Sequence, residues 1–177
     1  MNILIIILCT ITGLIALLVV LALLIKKDFA LQKQITINQP KATVFNYLKH
    51  IKNQEQYSVW VMKDPNVKIA YTGTDGTVGF TSSWSSNDKN VGIGEQEIIA
   101  LQESESMKVE IRFKKPFEAV NYATTTVTAL SPTQTTVTNV FTGRQKFPLN
   151  IMNVMMDKLV GKDMQQNLIN MKANLEK

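Results

Sequence analysis

Met107-Lys-Val-Glu-Ile-Arg-Phe-Lys114 alternates without a break. Met107, Val109, Ile111 and Phe113 fall on one side of an extended chain, with Lys108, Glu110, Arg112 and Lys114 on the other. Successive side chains of a strand point to opposite faces, so this stretch has one buried and one wet face. That is the mark of an antiparallel sheet covered on one side. Upstream, Val67, Ile69 and Tyr71 alternate with polar or small residues, and Asp75-Gly76 is a hairpin turn signal. Val78, Phe80, Ser82 and Trp84 share one parity; Gly79, Thr81, Ser83 and Ser85 share the other. Downstream lie two threonine-rich strands over residues 120–130 and 135–142, joined through Ser131-Pro-Thr133. Residues 67–142 therefore predict about six antiparallel strands.

The flanks change period. Residues 29–37 predict one strand, with Phe29, Leu31, Lys33, Ile35 and Ile37 on one side. After Asn38-Gln-Pro40, Pro40 suits the first position of a helix carrying Val44, Phe45, Leu48 and Ile51 on one face. A shorter helix toward Trp60 follows and stops at Asp64-Pro-Asn66. Beyond Pro148, residues 149–176 return to helical spacing through Leu159, Val160, Met164, Leu168, Met171 and Leu175. The order is strand, helix pair, six strands, long terminal helix. This is an α+β class in which a curved antiparallel sheet wraps around the last helix and buries both apolar faces.

Ahead of all this, residues 3–25 are 23 residues broken only by Cys9, Thr10, Thr12 and Gly13, with no charge. As a helix they reach about 34 Å, enough for a hydrocarbon core of about 30 Å. A cleaved signal peptide would carry a basic start and a small-residue cleavage site. Here only Met1-Asn2 precedes the run and Lys26-Lys-Asp28 follows it. The expectation is one transmembrane helix, an anchor over residues 1–27, and a single domain over 28–177. Lys26, Lys27, Lys33 and Lys41 on the carboxyl side place that domain in the cytoplasm.

Several chemistries drop out early. The only cysteine lies in the apolar run and His50 is the only histidine, so no Cys/His metal site or cysteine nucleophile is expected. Gly92-Ile-Gly94 lacks the third glycine of a dinucleotide loop and leads into a strand, so no cofactor is expected. Net charge is +5, but the basic residues are scattered without aromatic interleaving, so nucleic acid is not the expected partner. Attraction to an anionic bilayer explains the charge more simply.

Four strings, in order, carry a resemblance. They are Ile35-Thr-Ile-Asn-Gln-Pro-Lys-Ala-Thr-Val-Phe-Asn-Tyr-Leu48; Val78-Gly-Phe-Thr-Ser-Ser-Trp84 leading to Val91-Gly-Ile-Gly-Glu-Gln-Glu-Ile98; Phe113-Lys-Lys-Pro-Phe117; and Gly161-Lys-Asp-Met-Gln-Gln-Asn-Leu168. Over residues 28–177 the sequence resembles the START/Bet v 1-like (SRPBCC) helix-grip superfamily. Within it, it is similar to the membrane-anchored polyketide cyclase/dehydrase and lipid transport group. Tyr57 stands where such proteins often carry tryptophan, and Ser82 where an aromatic residue is common, which implies a cavity of different shape. The resemblance implies a cavity for an apolar ligand between helix and sheet, and it does not imply a reaction.

The candidate lining follows from that. Met152, Met156 and Met164 belong to a cluster of five of the eight methionines in the last 26 residues, a soft lining or ordinary core filler. On the sheet side stand Phe80, Trp84, Val109, Ile111, Phe113 and Phe141, and at the expected entrance Trp60. The expected partner is a hydrophobic small molecule or lipid, with the membrane as the second partner and a protein partner left open. A cyclase, dehydrase or hydrolase would need converging polar groups, for which the sequence offers His50, Tyr122 and Asp163 without a recognisable spacing. Asp163 and Asn167, four apart and flanking the terminal helix stripe, are further candidates for holding a ligand's polar end, against the plainer reading of a solvated helix edge. A third reading is a tethered interaction module with an exposed apolar patch.

Overall fold

The computed structural model describes residues 2–177; Met1, the first residue of the expected anchor, lies outside the described residues. Helix α1 (Ile3–Leu24) is apolar on every face and long enough to cross a membrane; of its residues only Ala22 is buried. Then come β1 (Asp28–Ile37), α2 (Lys41–Lys49), a 3-10 turn (Ile51–Gln56) and α3 (Val59–Met62). Six strands follow: β2 (Lys68–Thr72), β3 (Thr81–Ser85), β4 (Ile93–Gln102), β5 (Ser106–Lys115), β6 (Ala119–Ser131) and β7 (Gln134–Arg144). The chain closes with a 3-10 stretch (Leu149–Met155), a π turn (Asp157–Gly161) and α4 (Lys162–Leu175). The α+β order read from the sequence is the order found.

The sheet runs β1-β7-β6-β5-β4-β3-β2 with every pair antiparallel. The first strand lies beside the last, from Asp28 opposite Arg144 to Ile37 opposite Thr135. The α2–α3 connection then carries the chain to the far edge. Val44, Phe45, Leu48 and Ile51 are all buried against the sheet, as their spacing requires. Pro40 sits one place earlier than expected, at the cap, where its carbonyl accepts the Val44 N–H at 3.1 Å. The outer face of β4 and β5 is polar. There Arg112 donates to Glu95, Glu97 and Glu110 at 2.6–2.8 Å, and Lys114 donates to Glu95.

Three expectations need correction. Asp75-Gly76 does not form a tight hairpin, because an eight-residue loop, 73–80, joins β2 to β3. The Asp75 carboxylate instead accepts the Ile51 and Lys52 N–H groups, capping the 3-10 turn, and Gly76 lies under the His50 ring at positive φ. Val78 belongs to that loop and is exposed, so it does not share the face of Phe80. The terminal helix is regular only from Lys162. Before that, Asn150 and Asn153 turn their amides onto the end of α1, and Asp157 pairs with Lys33 of β1 at 2.8 Å. Those competing bonds break the helical ladder.

Candidate functional site

At one end the space between sheet and helices is solid, filled by Ile37, Val44, Phe45, Phe80, Ile98 and Val137. Toward the other end sheet and helix separate around a cavity of about 350 Å³. Val109, Ile111 and Phe113 of β5, Ala123 of β6 and Phe141 of β7 form its sheet wall. Met156, Val160, Met164, Leu168 and Met171 face them from the terminal stretch, and Trp60, Val67, Ile69 and Tyr71 stand at the rim. Parity places the wall residues: the odd positions 107–113 of β5 face inward, Met107 and Val109 buried and Ile111 and Phe113 half-buried along the cavity, while Lys108 and Lys114 on the other face are exposed. Trp84 completes the wall, its indole N–H donating to the Val91 carbonyl at 3.2 Å and its ring meeting Phe113 edge-on at 5.9 Å.

The cavity also holds a polar row. Asn121, Thr125 and Asn139 are inward-facing residues of β6 and β7, and Asn139 Nδ2 donates to Thr125 Oγ1 at 2.7 Å. Asn121 is 6% exposed, and its Oδ1 has no hydrogen-bond partner. Gly143, opposite it, makes the room: a Cβ there would fall 2.1 Å from that oxygen. Across the cavity Gln96 Nε2 donates to Gln54 Oε1 at 2.7 Å, and Asn167 Oδ1 accepts the Val59 N–H at 2.8 Å, tying α4 to α3. Burial, reinforced by Tyr47, pushes the Tyr57 phenol up and keeps it neutral. Glu55 is the one charged side chain on the lining, at the rim, where its carboxylate accepts the Tyr71 hydroxyl. Burial first and Glu55 second push the Tyr71 phenol up.

Of the ten residues expected to line a cavity, eight border this one: Trp60, Trp84, Val109, Ile111, Phe113, Phe141, Met156 and Met164. Phe80 does not. It precedes β3 at the closed end, stacks on Tyr71 at 5.8 Å and belongs to the solid core. Met152 does not either; it is 45% exposed, on the outer side of the stretch that Asn150 turns toward α1. Tyr57 and Ser82, the two departures from the family pattern, both border the cavity, as does Asn167. His50 lies outside it, its Nδ1 on the Asn46 carbonyl at 2.7 Å. Tyr122 is on the outer sheet face under Lys108, and Asp163 does not reach the lining. Sequence reading missed Asn121, Thr125 and Asn139. Their parity with Val127, Val137 and Phe141 was the available signal.

Residues 28–176 match the family described as polyketide cyclase/dehydrase and lipid transport. The chain belongs to this family. Its structure is similar to norcoclaurine synthase from Thalictrum flavum, solved with dopamine and hydroxybenzaldehyde. The TM-score is 0.66 at 8% identity, covering 84% of this chain and 87% of that one. It is also similar to the ZhuI aromatase/cyclase from Streptomyces sp. R1128 (TM-score 0.63, 11% identity, 84% and 93% covered) and to Ara h 8.0201 (TM-score 0.58, 13%, 84% and 98%). At such identities these likenesses establish the Bet v 1-like helix-grip fold and leave the ligand to the site itself. Among curated protein sequences none matches this family member.

Proposed function

We propose that the protein is a membrane-anchored carrier of a hydrophobic small molecule or lipid that bears an uncharged hydrogen-bonding group. The observation carrying this reading is the cavity itself, apolar on its sheet and helix walls and crossed by Asn121, Thr125 and Asn139. Its volume of about 350 Å³ is within the range of ligand sites, roughly 300–1,000 Å³. A buried amide oxygen without a partner costs stability, and a hydroxyl or amide N–H on the ligand would satisfy Asn121 Oδ1. A charged headgroup would find no basic side chain on the lining.

Helix α1, with its length and uniform apolarity, supports the anchor, and Lys26 and Lys27 beyond it support a cytoplasmic domain. A reporter fused after Lys177 and active only outside the cytoplasm would overturn that orientation.

The test of binding is extraction of the full chain purified from membranes, with mass spectrometry of what comes away. An amphiphile should be recovered with the wild type and lost from Ala123→Phe, which fills the cavity from its wall. Equal recovery from both proteins would sink the reading. A second reading, acid–base chemistry on the bound molecule, draws on the Tyr71–Glu55 pair at the rim. It requires Tyr71→Phe to abolish turnover in a substrate screen while leaving binding intact.

A further inference from the structure

The last carbonyls of a helix lack partners within it, and near hydrocarbon such groups are costly to leave unmet. In this chain the Ala22 carbonyl, and those of the residues just past the helix, are met by the stretch following β7. Asn150, fully buried, donates its Nδ2 to the Ala22 carbonyl at 2.6 Å and the Ile25 carbonyl at 2.8 Å. Asn153 Nδ2 donates to the carbonyls of Lys26 at 2.9 Å and Lys27 at 3.0 Å. The Gln145 N–H also reaches the Lys27 carbonyl, at 2.9 Å. These bonds tie Gln145, Asn150 and Asn153 to the segment from Ala22 to Lys27, the last turn of α1 and the residues just past it.

That placement gives meaning to an otherwise anomalous surface. Phe147, Leu149, Met152, Val154, Met155 and Leu159 are all exposed, Val154 to 73%. Among the described residues no element covers them, while Met156 and Val160 of the same stretch turn inward to the cavity. Lys26, Lys27, Lys146 and Lys158 are exposed alongside. Large apolar side chains at the depth where a span leaves hydrocarbon, flanked by lysines, are what an interfacial segment presents to lipid.

We propose that residues 147–159 seat in the headgroup–acyl boundary of the bilayer that α1 crosses, holding the methionine-lined wall of the cavity against lipid. This rests on reading α1 as the anchor. The occupant is the bilayer because the patch is continuous with α1 and pinned to its end by Asn150 and Asn153.

The experiment reconstitutes the full chain in phosphatidylcholine–phosphatidylglycerol vesicles containing lipids doxyl-labelled at shallow or deep acyl positions. An environment-sensitive fluorophore is placed on the single native thiol, Cys9. It is also placed on Val154→Cys and, as a distant control, on Thr133→Cys, each in a Cys9→Ser background. The expected result is deep quenching at Cys9, a blue-shifted label at 154 losing at least about half its intensity to shallow doxyl groups, and no quenching at 133. A quenched Cys9 with an unquenched position 154, whether wet or covered by a second copy, overturns this inference and leaves the anchor standing. Quenching at 133 equal to that at 154 also overturns it. An unquenched Cys9 removes the anchor and the inference together.

Discussion

Trp84 covers Gly94, its partner across the β3–β4 pair, so closely that a Cβ on Gly94 would fall 2.5 Å from the indole Cζ2 and 2.7 Å from the Arg112 carbonyl. The missing side chain lets the ring lie against β4 and become cavity wall. Gly94→Ala should therefore expel the indole and destabilise the protein by about 1–3 kcal/mol, as overpacking does. In a Trp60→Phe background the remaining tryptophan reports its own position. Its emission should move toward that of a solvated indole, and an unchanged spectrum with an unchanged melting point would refute the packing argument.

Asn121 offers a test in which stability and binding move in opposite directions. Its Oδ1 is buried without a partner, so replacing the amide by an apolar group of similar size removes a desolvation cost. Asn121→Leu should raise or preserve the melting temperature of the ligand-free protein. The same change should weaken a ligand whose hydroxyl or amide would have met that oxygen, by roughly tenfold for one hydrogen bond. Titration of the recovered amphiphile against both proteins, beside their thermal unfolding, checks the pair of outcomes.

The sequence reading succeeded where one period ran unopposed. Residues 107–114 of β5, four apolar and four charged side chains in strict alternation, declared their faces outright, and Val44, Phe45 and Leu48 declared theirs by helical spacing. It failed where long-range bonds outweighed local pattern. Nothing near Asn150 announces that its amide will meet a carbonyl 128 residues earlier, and those bonds interrupt the helix and turn Met152 outward. Phe80 shares parity with Trp84 but stands where the sheet is still closed on α2, and parity does not say where along a strand the core opens. The polar row was readable in principle from strand parity. Without a ligand in mind, inward asparagines in threonine-rich strands look like ordinary pleat residues.

The Asn150 clamp predicts a local effect. Asn150→Ala leaves the Ala22 and Ile25 carbonyls without their donor, at a cost of about 1–3 kcal/mol confined to the junction. Amide hydrogen exchange in residues 145–155 should accelerate by about tenfold or more, while the β5–β7 amides keep wild-type protection. Uniform acceleration across the sheet would show instead that the junction is part of the global core.

The pH dependence of stability should be two-sided, with each limb traceable to named groups. Glu95 is held below the ordinary carboxylate range by Lys114 and then Arg112, Asp64 by the Ser86 hydroxyl and the Asn66 N–H, and Glu176 by the Asn38 N–H. A depressed folded-state pKa means that the unfolded chain binds more protons. The contribution is therefore complete above the unfolded value, near about 4.3 for glutamate, and is lost as pH falls below it. The tyrosines work in the other direction. Tyr57 and Tyr71 are pushed above the usual 10.0 by burial and Tyr122 by Glu110, so their contribution is complete below that value and is lost as pH rises through the folded values. Urea midpoints of the full chain in detergent should be flat across neutral pH and fall at both extremes. Glu95→Gln should make the acid limb shallower, at a neutral-pH cost under about 1 kcal/mol, since Arg112 keeps Glu97 and Glu110. Tyr71→Phe should do the same to the alkaline limb. A limb whose slope is unmoved by its variant would show that other groups carry it.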